Sequence, residues 1–426
     1  MSGFDITELR VQFLHTAERI ARDPRALMPG QASLWRAGVL RRPTVCTGSA
    51  NALAEQLRVQ LRERGTLVAV VDDGRAGSMW RDVPVIASKD LGALRRRHSD
   101  LLLVNSAMME AGHAHFARLA AVLGIDCVDS LQFHRLLREV DQSTLVVRDA
   151  SEPLLLMDDP LAFMDFAVSQ REQIVALEKV WGDQLSALTM YHLMLFRLTF
   201  DPVHLSRASI GGLKSPPGPG SYIFDSSLFS FGDDEFFVDG GAYRGDTFEH
   251  LFRASGGPPQ GRVHAFEPDV VNMAYCRARA LDLCGPDFER SIRLDARALW
   301  ECEQQLSFKT MDYQERVGSH VTLQERAKPG DNVVSMVALD DVLEHPPTYI
   351  KLEVEGAETW ALRGASQTIC RHRPKLCVGI YHRPADLLHV AQMIAALDAG
   401  YQLYLRHHVP TDWGTTVCYG VPSRSS

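Results

Sequence analysis

FFVDGGAYRGDTFEHLF, residues 236–252, decides how the rest of the chain is read. An apolar strand runs into a glycine turn, and the turn opens a helix, which is the outline of a nucleotide-cofactor loop. Gly240, Gly241 and Gly245 permit close ligand approach and unusual backbone angles. In open α/β sheets the ligand lies beyond the carboxyl ends of the strands. Glu267, which ends Val263-His264-Ala265-Phe266 and precedes Pro268, is placed to accept both ribose hydroxyls. To this point NAD and S-adenosylmethionine fit equally. Asp239 and Asp246 separate them, because a diphosphate would meet both as like charges. The ammonium and sulfonium of S-adenosylmethionine suit two carboxylates, so this cofactor is favoured. Beside it stands a purely structural reading, with Asp239 capping the turn and Asp246 in the first helical turn. Thr247 belongs to the same turn. Asp295-Ala296, after Ile292-Arg293-Leu294, is placed to meet an adenine edge.

Working outward, strands are expected at 235–239, 262–266, 291–294, 348–354, 375–381, 401–406 and 415–420, with helices near 245–254, 269–283, 357–370 and 384–399. The segment from His407 to Gly414 is shorter than the roughly dozen residues of a parallel crossover, so the last two strands should pair antiparallel. Residues 233–426 therefore read as a seven-stranded Rossmann-like sheet with an antiparallel last strand. Upstream, residues 41–140 alternate strand and helix and predict a smaller parallel α/β domain. Residues 1–40 begin as a helix with Ile6, Leu9, Phe13 and Ile20 on one face. Residues 141–232 form a helical connector, with a helical stretch over roughly 160–198. A Pro/Gly loop, LKSPPGPGSY (213–222), ends it and reads equally as linker or lid.

Bulk composition fits this frame. The chain has 426 residues, 46% of them apolar and 23% charged, as in soluble globular domains. A formal net charge of -8 argues against a general nucleic-acid binder. No apolar run reaches the ~18 residues of a membrane span. The eight cysteines include no C-x-x-C pair and several lie in apolar runs, which reads as buried reduced thiols. With no signal-peptide core at the N-terminus, a cytoplasmic location is expected.

Four stretches in order, FVDGGAYRGDT, VHAFEPD, ALDDVL and YIKLEVEGAETWALRGA, resemble the FkbM family of S-adenosylmethionine-dependent methyltransferases. The resemblance covers about residues 233–426. It implies a Rossmann-like methyltransferase fold and O-methylation of sugar or natural-product hydroxyls. By position it puts Asp239, Gly241, Gly245 and Asp246 around the methionine end of the cofactor and Glu267 on the ribose. The family's fourth motif commonly reads lysine, any, aspartate, any, glutamate, glycine. Here Glu353 takes the aspartate place and reaches one methylene further.

Methyl transfer to oxygen requires the hydroxyl to be held behind the methyl group and its proton removed. Candidate bases stand at strand ends: Glu353 and Glu355 after the fourth strand, sharing a face with Lys351, and His382 after the fifth. His382 is favoured for its near-neutral intrinsic pKa. His407 and His408, and His320 in a less regular 310–332 segment, are weaker candidates. No metal-ligand set is read from the spacing. The acceptor is expected to be a small hydroxylated molecule, with sugars among the candidates. Two other readings stand: a non-catalytic interaction module with a degenerate cofactor site, and NAD or nucleotide-sugar binding through the N-terminal domain. That domain has one glycine in Gly48-Ser49-Ala50-Asn51-Ala52-Leu53 and Asp72 at a strand end, and a role in homo-oligomerisation is also open to it.

Overall fold

The computed structural model describes residues 5–23, 25, 34–35, 38–48, 52–140, 160–210, 225–232, 234–255, 262–309, 320–321, 332–397 and 400–423. The loop 213–222 and most of 310–332 lie outside them. In the N-terminal half the strands are β1 (Thr44–Thr47), β2 (Leu67–Val71), β3 (Met79–Trp80), β4 (Val83–Ile86), β5 (Leu102–Asn105) and β6 (Asp126–Asp129). They order as β3-β4-β2-β1-β5-β6. All pairings are parallel except β3 with β4. The expectation of a wholly parallel sheet fails at that edge because only Arg81 and Asp82 join the two strands, and Arg81 takes φ +53° to turn the chain back.

The C-terminal half holds β7 (Phe236–Gly240), β8 (Arg262–Phe266), β9 (Ile292–Asp295), β10 (Ala298–Leu299), β11 (Gln304–Lys309), β12 (His320–Val321), β13 (Asn332–Val337), β14 (Tyr349–Leu352), β15 (Lys375–Gly379), β16 (Tyr401–His407) and β17 (Thr416–Pro422). Seven of these form the sheet β16-β17-β15-β14-β7-β8-β9. β17 runs antiparallel to both β15 and β16, as the short connection requires. A second sheet, β10-β13-β11-β12, was not foreseen. Its signal was present in β13, where exposed Val333 and Ser335 alternate with buried Val334 and Met336. The expected helix 357–370 divides at Ala365 into Glu358–Gly364 and Ser366–His372.

The connector is a core element. Helix Gln184–Thr199 is capped by Asp183, whose carboxylate accepts the Ser186 N–H at 2.8 Å, a contact worth about 1 kcal/mol. This cap breaks the expected long helix, which becomes Pro160–Ser169, Arg171–Ala176 and Gln184–Thr199. Helix 184–199 is buried nearly all round, against helix Ile6–Arg22, helix Pro160–Ser169 and β16. Leu9 and Phe13 of the first helix, Met190 and Met194 of the connector, and Val238, Ile350 and Leu352 of the sheet belong to one continuous apolar core. The opposite face of the sheet packs Phe237, Val263 and Tyr349 under Phe248 and Cys276. The edge of β16 is covered at two points, by Gly182 N donating to Leu403 O at 2.7 Å and Ile210 N donating to His407 O at 3.0 Å.

Four cysteines (Cys46, Cys276, Cys377, Cys418) are buried as expected, whereas Cys302 in a bend after β10 and Cys370 on helix Ser366–His372 are exposed; all eight are free thiols. Among the described residues no helix is long and apolar enough to cross a membrane.

Candidate active site

β7 delivers the chain into a turn whose glycines serve the backbone more than a ligand. Gly241 has φ +76°, and a Cβ there would lie 1.9 Å from the carbonyl oxygen of Glu353. The expectation that this glycine opens space for a ligand is therefore corrected: it lets the turns after β7 and β14 pass each other. Gly240 closes β7, and Gly245 takes φ +72°. The helix starts at Phe248, three residues later than expected, so Asp246 precedes it and is not in its first turn.

Glu267 ties this turn to the next strand. Its Oε2 accepts the Tyr243 N–H at 2.8 Å and its Oε1 the Asp269 N–H at 2.9 Å, which leaves acceptor capacity on each oxygen. Burial is the leading influence on its carboxyl and pushes it up to about 7 against those two hydrogen bonds. Pro268 is half-buried beside it, and Asp269 caps the following helix through Val271 and Asn272.

At the centre stands Lys351, 5% exposed. Its ammonium lies 3.0 Å from Asp239 Oδ1, donates to Gly241 O at 2.6 Å and sits 4.0 Å from Glu353 Oε2. Asp239 is fully buried, and its other oxygen accepts the Thr247 hydroxyl. Asp239 and Thr247 bond each other and, with Lys351, brace the turn. Burial disfavours the charge on Lys351, but Asp239, Glu353 and Asp246 outweigh it and hold the ammonium above its ordinary range. Asp246 is half-buried, and burial raises its carboxyl, with Lys351 opposing. Three carboxylates thus share one ammonium, a local excess of negative charge at the strand ends.

Asp295 is committed elsewhere. It takes the Arg297 guanidinium at 2.8 and 2.6 Å, with His264 at 3.5 Å. Burial works against its charge, yet the Arg297 contacts prevail and hold it well below the carboxylate range. Its side chain is not a free acceptor for an adenine amino group; Ala296 next to it is exposed.

The fourth and fifth strands end in a second cluster. Glu353 accepts the Tyr381 hydroxyl at 2.5 Å. Glu355 holds φ +53°, a strained left-handed backbone of the kind that functional sites retain, next to Gly356, which takes φ +92° freely. Its side chain is 34% exposed, and burial of the carboxyl pushes it to about 7, with His382 opposing. His382 is 2% exposed, with Nδ1 2.9 Å from Glu358 Oε1 and Nε2 3.5 Å from Glu355 Oε2. Burial disfavours its charge, but Glu358 and then Glu355 overcome this and lift the imidazole to about 10. A buried ring whose two nitrogens face the carboxylates of Glu358 and Glu355 is poorly placed to reach an acceptor hydroxyl, so the geometry does not favour His382 as the base. Glu358 and Asp386, which sequence reasoning passed over, complete the surroundings of His382. His407 and His408 bond Thr416 and Tyr419 and are pushed down to about 3 and 4 by burial; they are packing residues.

In the N-terminal half, the cavity lined by Gly48, Asp72, Arg58 and Trp80 holds about 70 Å³, well under the ~300 Å³ of ordinary small-molecule sites. Residues 49–51 of the loop there lie outside the described ones.

Residues 239–403, which contain both clusters, match the Methyltransferase FkbM domain. Over that span the chain is similar to the FkbM methyltransferase domain. Its fold matches that of an FkbM methyltransferase from Methylobacillus flagellatus KT, at a TM-score of 0.75 and 24% identity over 98% of this chain and 100% of that one. A putative rRNA-methylase from Clostridium thermocellum aligns at a TM-score of 0.31 and 12% identity, over 47% of this chain and 91% of that one. A precorrin-6y C5,15-methyltransferase from Geobacter metallireducens GS-15 aligns at 0.27 and 14%, over 46% and 85%. No curated protein matches the chain. The FkbM domain and its fold support a methyltransferase role.

Proposed function

We propose that the chain is an S-adenosylmethionine-dependent methyltransferase that methylates a hydroxyl of a sugar-containing or other small acceptor. One observation carries the cofactor: at the carboxyl ends of β7 and β14, Asp239 and Glu353 lie 3.0 and 4.0 Å from the ammonium of Lys351, and Asp246 adds a third negative charge to its field. That excess of negative charge suits a cationic ligand and repels a pyrophosphate. Glu267 would take the ribose hydroxyls, Asp246 and the 241–247 turn the methionine end, and the backbone at Ala296 the adenine edge. The bound cofactor supplies an electrophilic methyl group on a sulfonium. The chain's own work is to hold the acceptor hydroxyl in line and to receive its proton. Glu355 suits that second task, since a part-exposed carboxyl near pH 7 at a strand end matches what a general base needs.

The test is calorimetric titration with S-adenosylmethionine and, separately, NADH, on the parent and Glu267→Ala. Binding of the first alone, weakened in the variant, is expected. No detectable S-adenosylmethionine binding to the parent would sink the reading. A methyl-transfer screen over sugars, nucleotide sugars and glycosylated metabolites then identifies the acceptor, and product analysis must show an O-methyl group.

A further inference from the structure

We propose that Glu358, His382 and Asp386 form a binding site for a divalent metal ion, next to Glu353 and Glu355 at the strand ends. One ligand atom from each lies within 4.8 Å of the others, and all three residues are buried. They come from the start of helix Glu358–Gly364, the loop after β15 and the start of helix Asp386–Leu397. Two metal–ligand bonds of ~2.1 Å span at most ~4.2 Å, so side-chain shifts of about half an ångström close the set around an ion.

Unsatisfied atoms point to the ligand. Glu358 is fully buried, yet its Oε2 receives no hydrogen bond. Neither ring nitrogen of His382 makes a contact of hydrogen-bonding geometry, although carboxylate oxygens stand 2.9 and 3.5 Å away. Buried polar atoms left this way are costly; a cation satisfies Glu358 Oε2 and one ring nitrogen of His382, and the other ring nitrogen is left to donate to a neighbouring carboxylate. The remaining lone pairs are already oriented. Glu358 Oε1 accepts the Val354 N–H at 2.9 Å and Asp386 Oδ2 the Arg383 N–H at 2.6 Å, the outer-layer support that metal ligands characteristically have. Charge agrees: Glu355, Glu358 and Asp386 face Arg383 and His382, and a dication on a neutral imidazole balances three carboxylates and one guanidinium.

One imidazole nitrogen with carboxylate oxygens suits Mn²⁺, Fe²⁺ or Zn²⁺ better than Mg²⁺, which prefers an all-oxygen shell. The site adjoins the proposed chemistry. A Cβ at Gly379 would stand 3.6 Å from both Glu353 Cγ and His382 Cε1, and the part-exposed Glu355 leads from the ion to the surface. An ion there would position an acceptor hydroxyl and lower its pKa; this role rests on the methyl-transfer reading, while the site itself does not.

The experiment uses the full chain freed of metal with a chelator, without cofactor or acceptor, and Mn²⁺ as probe. Electron paramagnetic resonance titration should show about one tightly held Mn²⁺ per chain, and pulsed measurements a directly coordinated ¹⁴N. His382→Gln should abolish the nitrogen coupling, and Asp386→Asn should weaken Mn²⁺ by at least about tenfold. Absence of stoichiometric Mn²⁺ binding, or bound Mn²⁺ with no coordinated nitrogen, overturns the proposal on the parent protein alone. Unchanged affinity in a folded Asp386→Asn chain overturns it as well. Loss of S-adenosylmethionine binding with Mn²⁺ binding intact would instead strike only the proposed function.

Discussion

Replacing Lys351 with methionine tests the centre of the site. Methionine keeps most of the apolar stem but removes an ammonium that lies 3.0 Å from Asp239 Oδ1 and 2.6 Å from Gly241 O, in a side chain 5% exposed. Asp239, fully buried, then keeps only the Thr247 hydroxyl as a partner for its charge. Breaking a buried ion pair from one side costs about 3–5 kcal/mol, since the surviving charge stays desolvated. If the 426 residues unfold as one unit, an unfolding entropy of about 2.1 cal/mol/K per residue converts this to a fall in Tm of about 3–6 °C. Scanning calorimetry reads the shift, and guanidinium unfolding reads the free energy. Adding Asp239→Asn to Lys351→Met removes the orphaned charge and should restore all but about 1–2 kcal/mol. A loss below about 1 kcal/mol in the single variant would mean the pair behaves like a surface contact, and the account of a braced turn would be wrong.

Asp246→Asn should weaken S-adenosylmethionine by about 10–100-fold in calorimetry, the worth of one charged hydrogen bond; unchanged affinity removes Asp246 from the ligand's ammonium. Because burial lifts Glu267 to about 7, its ionised, ribose-accepting form dominates only above that pH. S-adenosylmethionine affinity should therefore rise about tenfold from pH 6 to pH 8 and lose this dependence in Glu267→Ala, and a flat parent profile counts against it. Glu355→Gln should cut turnover by about 10²-fold or more while the cofactor Kd stays within a few-fold; near-normal turnover excludes it as the base. Gly241→Ala meets both a positive φ and the Glu353 carbonyl, so its stability in denaturant should drop by at least about 3 kcal/mol, and a folded variant of parental stability would refute the close crossing.

The seven strands of the main sheet were legible because each is a short apolar run bounded by turn residues, and the antiparallel end followed from chain length alone. The second sheet was not, because β10 and β12 are two residues long and only β13 alternates cleanly. In the site, period two along one strand pointed to Lys351, Glu353 and Glu355, although β14 ends at Leu352 and the left-handed Glu355 no longer alternates with Lys351. Their roles were harder to read. Asp239 looked like a ligand group because sequence shows a carboxylate at a strand end but not that Lys351 from the neighbouring strand consumes it. His382 looked like a base because an isolated histidine titrates near neutrality. Glu358 and Asp386 reach it from two helices far apart in sequence, and no spacing rule joins them.

The covered edge of β16 bears on how this protein is built from parts. Gly182 and Ile210 attach to the same strand on either side of helix 184–199, so that helix is fastened to the seven-stranded sheet at both its ends. A cut near residue 233, where motif matching begins, would strip that strand of its cover and expose the apolar side chains the helix now hides. The inheritable and transplantable unit is therefore larger than the recognisable domain: it takes in the connector from residue 160 and the first helix, Ile6–Arg22, that packs on it.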